Sequence, residues 1–408
     1  MNHHYDVAIV GGGIASSALG LALAREGVRV AIAERVPFFE DRVRGEWLAP
    51  WGVAEARRLG LLPIFAQVGA HPIPWNISRS GKPRRLETPE GDVPFGFWHP
   101  ELQQALLDAA ADAGADVMRP VKVTDVHGGA TPGFTVDRNG ISSAISARLV
   151  IGAEGRSSHI RGLLGRPEFQ HRSQRLLAGV RVSGLGGEDD RAYYLIRPNA
   201  EGLAMVYPQG GGYGRAYVFI PGAHAADFHS TEGFNRLIRL AIESGVPEEV
   251  IGGARQEGPL AAFEASDSWI RTPYRDGLAV IGDAAGVSDP TWGMGIALAL
   301  KDARTLATTV RESGDPQFAA ARYARQRDVY YEVIRTVENW QSDLLLTQGE
   351  AADRRRRAAA RLWSQDPSRV PDLNGLGPAV DTSEVARRRF FGADAEPDAV
   401  EVEAAASA

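Results

Sequence analysis

The run Gly11-Gly12-Gly13-Ile14-Ala15-Ser16 follows the apolar stretch Asp6-Val7-Ala8-Ile9-Val10 and precedes an apolar helical pattern, and the next apolar run ends on Glu34-Arg35. This order of strand, glycine turn, helix, strand and terminal acid predicts a dinucleotide site. Gly11 permits the tight strand-to-helix turn and Gly13 lets a pyrophosphate approach the backbone. The helix start that follows, with Ala15, supplies oriented N–H groups and a partial positive charge. Ser16 stands where the last glycine of the pattern is usual and is still small enough for close helix-on-strand packing. Glu34, roughly 20 residues downstream, is placed beside Arg35 to accept hydrogen bonds from a ribose diol.

The 408 residues suffice for two domains, and 44% of them are hydrophobic and 24% charged, an ordinary globular balance. The absence of cysteine excludes disulfides, thiolate metal sites and cysteine nucleophiles, so redox chemistry has to come from a bound cofactor. A net charge of -6 gives no general attraction to nucleic acid or anionic lipid. No stretch reaches the roughly 18 unbroken apolar residues of a membrane span, and the expectation is a cytoplasmic protein, monomer or homodimer. The basic run Arg354 to Arg357 lies in an alanine-rich helical stretch and reads as a solvated face. The nine histidines show no metal-ligand spacing.

Residues 5 to 35 read as strand, helix, strand, and residues 99 to 114 as an amphipathic helix with Leu102, Ala105, Leu106 and Ala109 on one stripe. Short β-rich segments follow around Val117 to Val126, Phe134 to Arg138 and Ile145 to Ile151, with Asn139-Gly140 as a turn signal. A further set, Gly179 to Val182, Arg191 to Ile196, Leu203 to Tyr207 and Arg215 to Ile220, predicts a mainly antiparallel sheet. Gly210-Gly211-Gly212 precedes a strand with no helix to follow, so it reads as a hairpin turn and not as a second nucleotide loop. The strand Leu278 to Gly282 leads into a long helical pattern ending near Val310, and the tail from Gln317 is helical. The expected class is α/β, a Rossmann-type dinucleotide-binding domain with an interleaved antiparallel-sheet domain and a C-terminal helical segment. Residues 1–75, 98–180 and 260–315 are assigned to the first, 76–97 and 181–259 to the second, 316–392 to the helical region and 393–408 to a disordered tail.

Two further constellations lie at strand ends. Gly282-Asp283-Ala284-Ala285 is followed by Asp289-Pro290-Thr291-Trp292-Gly293-Met294-Gly295-Ile296 and a helix, and Gly152-Ala153-Glu154-Gly155-Arg156-Ser157-Ser158 follows an earlier strand. A carboxylate at a strand end can take a ribityl hydroxyl, and glycines at a helix start let N–H groups approach a flat, electron-rich ring. In this order the three motifs, spread over roughly residues 5 to 310, resemble those of the group A FAD-dependent monooxygenases, the p-hydroxybenzoate hydroxylase-like flavoprotein family. The resemblance implies that Asp283 binds the ribityl chain, that Pro290 to Gly295 and Ile296, with Gly293 and Met294, border the flavin ring, and that Arg44, Gln103 and Gly155 face the cofactor. Three positions depart from the family pattern: Glu154 replaces the usual aspartate, Gly286 a common histidine and Ala297 a common asparagine.

The resemblance further implies that the first domain is a Rossmann-type FAD-binding domain of the GR2-like kind and the antiparallel sheet the substrate domain, with FAD reduced transiently by NADH or NADPH, addition of dioxygen at the flavin C4a position, and delivery of one oxygen atom from the hydroperoxide to a small aromatic or polyketide-like metabolite. Strand alternation offers Tyr207, Arg215, Tyr217 and Phe219 as pocket candidates, with Pro290 and Trp292 from the flavin-facing segment. Trp47, Trp51, His71 and Trp75 form an aromatic group read either as an entrance or as a packed seam. Gln209 stands where p-hydroxybenzoate hydroxylase has an arginine for a carboxylate, which disfavours a benzoate substrate. Three other readings share these features: a flavin-dependent halogenase, an FAD-dependent isoprenoid reductase, and a flavin-binding protein without redox turnover. The first is disfavoured because the chain lacks a Trp-x-Trp-x-Ile-Pro stretch and Lys82 lies in a charged turn.

Overall fold

The computed structural model describes residues 3–78, 81–171, 175–197, 202–221, 228 and 231–394, so the expectation for the tail beyond 394 lies outside the described residues. At its centre is the strand His3–Val10, whose residues Val7 to Val10 are buried on both faces. It pairs in parallel with Ile141–Gly152 on one side and Val30–Ala33 on the other. Leu278–Val280 and Asp116–Met118 extend the sheet outward, again in parallel. A continuous apolar run is what a parallel strand covered on both faces demands. The register sets Val10 opposite both Gly152 and Ala33, and Gly152 opposite Val280. The loops that leave these four strands therefore emerge side by side along one edge of the sheet, the position where open α/β sheets bind ligands.

The helix Ile14–Arg25 packs between His99–Asp112 and Gly295–Ser313. Ser16 is fully buried as its size allows, but the tightest helix-on-strand approach is at Gly20, where a Cβ would come within 2.6 Å of Ile32 Cδ1. Asn139 and Gly140 both take positive φ, 55° and 84°, the geometry of a tight hairpin turn joining Gly133–Arg138 to Ile141–Gly152.

A second sheet runs in the order Arg255–Gln256, Arg175–Ser183, Tyr213–Pro221, Gly202–Gly210, Arg191–Arg197, Trp75–Ile77, Pro83–Arg85, with Ala261–Glu264 also paired to Arg175–Ser183. All its pairings are antiparallel except that between Arg191–Arg197 and Trp75–Ile77. The glycine run at 210–212 is the hairpin turn that the sequence implies. Alternation gives the sheet two buried faces. Val180, Ala204, Val206 and Val218 pack on the helix Thr231–Ser244, while Leu177, Met205, Tyr207 and Tyr217 join the main core.

The helix Pro316–Leu345, capped at its start by the Asp315 carboxylate on Gln317 N, lies along Gly295–Ser313. Glu350–Gln365 and Glu384–Phe391 follow it, joined through Trp340, Trp363 and Phe390. Arg355 and Arg356 of the basic run bind Asp343 and Asp353, and Arg354 and Arg357 are exposed. Among the described residues no helix is long and apolar enough to cross a membrane.

Candidate functional site

A cleft of about 360 Å³ opens at the aligned strand ends and runs from the 11–13 loop to the inner face of the second sheet. Gly11 has φ of +100° and a Cβ there would meet Ala153 O at 2.5 Å, so no other residue fits the turn. Gly13 is the residue before the helix and carries no side-chain cap, leaving the first-turn N–H groups for a ligand. The space beside it is open, since a Cβ would find only Gln103 Nε2, at 3.8 Å. Glu34 closes this end: its buried carboxylate accepts from Gly12 N at 2.5 Å and Val36 N at 2.8 Å, bracing the loop while facing the cleft. Arg35 and Phe39 continue the wall, with Arg119 stacked 4.2 Å from the Phe39 ring centre.

The middle of the cleft gathers Arg44, Gln103, Gly155 and Asp283, four residues far apart in the chain. Asp283 sits in the turn Gly282–Ala284, which is held from below by Asp302 accepting from Gly282 N at 2.8 Å. Asp302 also pairs with Arg327 at 3.1 Å and takes a hydrogen bond from Tyr330, all buried. Arg156 lies over the Phe263 ring with Nε 4.0 Å from Asp283 Oδ2, and this buried nitrogen has no hydrogen-bond partner among the described residues. His99 lines the same stretch; burial outweighs the Gly45 carbonyl and Glu46 and pushes its pKa below the usual histidine value.

The Asp289 carboxylate caps the turn Pro290–Trp292 and binds Arg175 at 3.2 Å. Gly293, with φ of +71°, then admits the helix Gly295–Ser313. Gly295 has open space in front, its would-be Cβ meeting Ser288 Oγ and Asp283 Oδ1 only at about 4 Å. Pro290, Gly293, Gly295 and Ile296 all line the cleft, opposite Leu177, Met205, Tyr207, Tyr217 and Phe263 of the second sheet.

The three departures from the family pattern have local causes. The longer Glu154 side chain reaches Ser158 Oγ at 2.5 Å and the amides of His159 and Ile160, so it caps the helix His159–Leu163. At Gly286 a Cβ would lie 2.8 Å from the Tyr331 hydroxyl and 2.9 Å from Trp269 Cβ, leaving no room for a side chain. Ala297 faces Gly52, where a Cβ would come within 2.6 Å of the alanine methyl, so a larger residue would drive the two helices apart.

Several sequence expectations need correction. Arg215 shares a strand face with Tyr217 but is fully buried, bound by Glu46 at 2.7 Å and Asp41 at 2.6 Å, and does not line the cleft. A buried guanidinium requires compensating charge, and its partners come from about 170 residues earlier, a pairing no local pattern reveals. Trp292 turns away from the cleft, donating its indole N–H to Ser342 Oγ at 3.1 Å, so the helix Pro316–Leu345 claims the ring expected to wall the pocket. Phe219 is core beneath Arg175, and Ser16 and Met294 are buried outside the lining, Met294 accepting from Trp51 Nε1 at 3.3 Å. Of the four residues grouped before the second domain, Trp47 alone lines the cleft. Gln209 binds Glu46 and the Phe97 carbonyl. Trp47, Phe39, Arg156 and Met205 were not assigned to the site from sequence, although Met205 shares its strand face with Tyr207.

The donor set suits FAD: a glycine cradle open at Gly13 and Gly295, an acid at the end of the second strand, and cationic Arg44 and Arg156 beside it. Residues 4–323 match the family described as FAD binding domain. The chain belongs to that family. Within it, the 6-methylpretetramide 4-monooxygenase of Streptomyces rimosus is 28% identical over 397 residues, 90% of each chain. Digeranylgeranylglycerophospholipid reductase 1 of Methanococcoides burtonii is 24% identical over 309 residues, 74% of this chain and 72% of that one. The p-nitrophenol 4-monooxygenase of Pseudomonas putida shares the fold with a TM-score of 0.77 at 18% identity, covering 90% of this chain and 95% of its own. A flavin-dependent brominase does so with a TM-score of 0.74 at 17% identity, covering 96% and 98%. This member of the FAD binding domain family is an FAD-dependent oxidoreductase of the group A monooxygenase kind.

Proposed function

We propose that the protein transfers one oxygen atom from O2 to a small aromatic or polyketide-like metabolite, with NADH or NADPH as transient reductant. The observation that carries this reading is the continuity of the cleft, which joins the dinucleotide loop directly to a neutral wall of the second sheet. FAD, when bound, would supply the two electrons that activate dioxygen, so that one oxygen atom is transferred and the other leaves as water. The chain's own work is placement and exclusion of water. The 11–13 loop, the first turn of Ile14–Arg25 and Glu34 are assigned to the adenosine diphosphate half, and Arg44, Gln103, Gly155 and Asp283 to the ribityl region. Pro290, Gly293, Gly295 and Ile296 border the ring, and Met205, Tyr207 and Tyr217 face the substrate. The Tyr217 hydroxyl donates to the Arg44 carbonyl, which ties the substrate wall to the cofactor wall. With this division goes a cofactor-binding unit of residues 1–75, 98–180 and 260–315 and a substrate unit of 76–97 and 181–259, in a cytoplasmic protein.

The relative named for 6-methylpretetramide 4-monooxygenation supports an oxygen-transfer reading over the reductase reading, because it aligns over 397 residues against 309, while the brominase at 17% identity shares the fold alone. Purified protein should carry FAD and oxidise NADH or NADPH faster with substrate, with one atom of labelled O2 appearing in the product. Double-bond reduction without oxygen uptake, or halide-dependent product, refutes the proposal.

A further inference from the structure

The sheet end of the cleft is mostly apolar, and the Glu46 carboxylate that also lines it is committed to Arg215 and Gln209. Trp47, Leu177, Met205, Tyr207, Val287 and Pro290 face it. The cation nearest on the strand face, Arg215, is committed to Glu46 and Asp41. Burial pushes the Tyr207 phenol well above its ordinary pKa, so it stays a neutral donor at every working pH. Two donors there are underused. The Trp47 indole nitrogen is sealed from solvent and has no hydrogen-bond partner among the described residues. Among the described residues the Tyr207 hydroxyl reaches only Met205 Sδ, at 3.2 Å, and a thioether is a weak acceptor. The two rings stack with centres 5.5 Å apart and planes 22° from parallel, and the Trp47 benzo edge fits against Gly293, where a Cβ would come within 3.0 Å of it.

An unpartnered buried donor is costly, so an acceptor brought within reach of the Trp47 indole nitrogen would be stabilised. We propose that Trp47 and Tyr207 form the donor pair that holds a carbonyl or phenol oxygen of an uncharged, planar aromatic substrate. The neutral wall offers nothing to compensate a carboxylate, so the same site rejects anionic aromatics. The inference rests on the oxygenase reading only for the claim that the bound molecule is a substrate; the donor pair itself is a property of the wall.

The test uses the FAD-loaded full chain and three probes in equilibrium dialysis: chromone, which is neutral and bears a carbonyl, naphthalene, which has no acceptor, and chromone-2-carboxylate. Wild type should bind chromone at least about tenfold more tightly than either of the others. Trp47→Phe and Tyr207→Phe should each weaken chromone binding roughly fivefold to tenfold while leaving naphthalene binding and FAD affinity unchanged. Retained FAD affinity certifies that each variant is folded. Equal chromone affinity in wild type and both variants, preference for the carboxylate, or failure of wild type to bind chromone overturns the proposal. Chromone discrimination through Trp47 in a protein that does not consume oxygen refutes the oxygenase reading alone and leaves the donor pair standing.

Discussion

Replacing Asp302 by Asn changes no atom that lines the cleft, yet it should weaken both the fold and the cofactor site. Asp302 is fully buried and accepts three hydrogen bonds, from Gly282 N, Arg327 Nε and the Tyr330 hydroxyl. Arg327, 1% exposed, has no other carboxylate bound to it among the described residues, and the Asp302 charge, working against burial, holds its pKa above the ordinary arginine value. The amide keeps the shape and removes the charge, leaving a guanidinium buried without a counterion. Breaking such a pair costs about 3 to 5 kcal/mol, between roughly a hundredfold and several thousandfold in the folding equilibrium. That is a large part of an expected stability of about 5 to 15 kcal/mol, so the variant should fold but unfold at clearly lower urea. Because Asp302 anchors the turn that presents Asp283, FAD affinity should fall by about tenfold as well. The double variant Asp302→Leu/Arg327→Met should regain most of the stability, since no charge is then left unpaired. It should not regain the FAD affinity, because leucine offers Gly282 N no acceptor. An Asp302→Asn protein within about 1 kcal/mol of wild type, or a double variant no better than the single one, would refute the reasoning.

Gly13→Val should abolish FAD binding without unfolding the chain, because the space beside Gly13 is open and only a ligand is there to be displaced; normal FAD retention would show the glycine loop to be misassigned. Glu338 is buried on the helix Pro316–Leu345, and burial, then Asp289 and Asp267, pushes its pKa well above the ordinary 4.5. The folded chain therefore binds this proton more tightly than the unfolded one, and its stability contribution is lost as pH rises from the ordinary value toward the raised one. Glu338→Gln should accordingly unfold at higher temperature than wild type at about pH 8 and nearly alike at about pH 5, and an equal gap at both would count against the buried acid. Trp292→Ala removes a ring that is 8% exposed and bound to Ser342, and should lower stability by about 3 to 5 kcal/mol, read as a thermal midpoint; an unchanged midpoint would return Trp292 to a role in the pocket.

The half of the cleft assigned to FAD was legible as a group of converging residues because that assignment depends on spacing along the chain. Gly11 to Glu34 is one continuous strand–helix–strand unit, and Asp283 and Gly293 to Ile296 lie a few residues apart at the next strand end. The substrate half was only partly legible. Alternation placed Tyr207 and Tyr217 on the correct face, but it placed Arg215 there too, and nothing near Arg215 in sequence announces Glu46 and Asp41. Trp292 failed for a similar reason. Its neighbours Pro290 and Gly293 do line the cleft, whereas the direction of the indole was decided by Ser342, 50 residues later. Gly286 and Ala297, which depart from the family pattern, fit the packing against Tyr331 and Gly52, partners that lie far from them in sequence.

The match to the FAD binding domain family stops at residue 323, but the helix that begins at Pro316 runs on to Leu345. Its tyrosines grip the core strand ends on both sides of that stopping point: Tyr323 donates to the Val280 carbonyl at 3.1 Å and Tyr331 to the Val287 carbonyl at 3.2 Å. For anyone recombining relatives, a joint placed where the family resemblance ends would cut through this grip and pair one parent's Gly282–Ala284 turn with the other parent's Arg327. Exchangeable segments in this lineage should therefore be drawn beyond Leu345, where the connection passes to Glu350–Gln365 and fewer buried partners cross the junction.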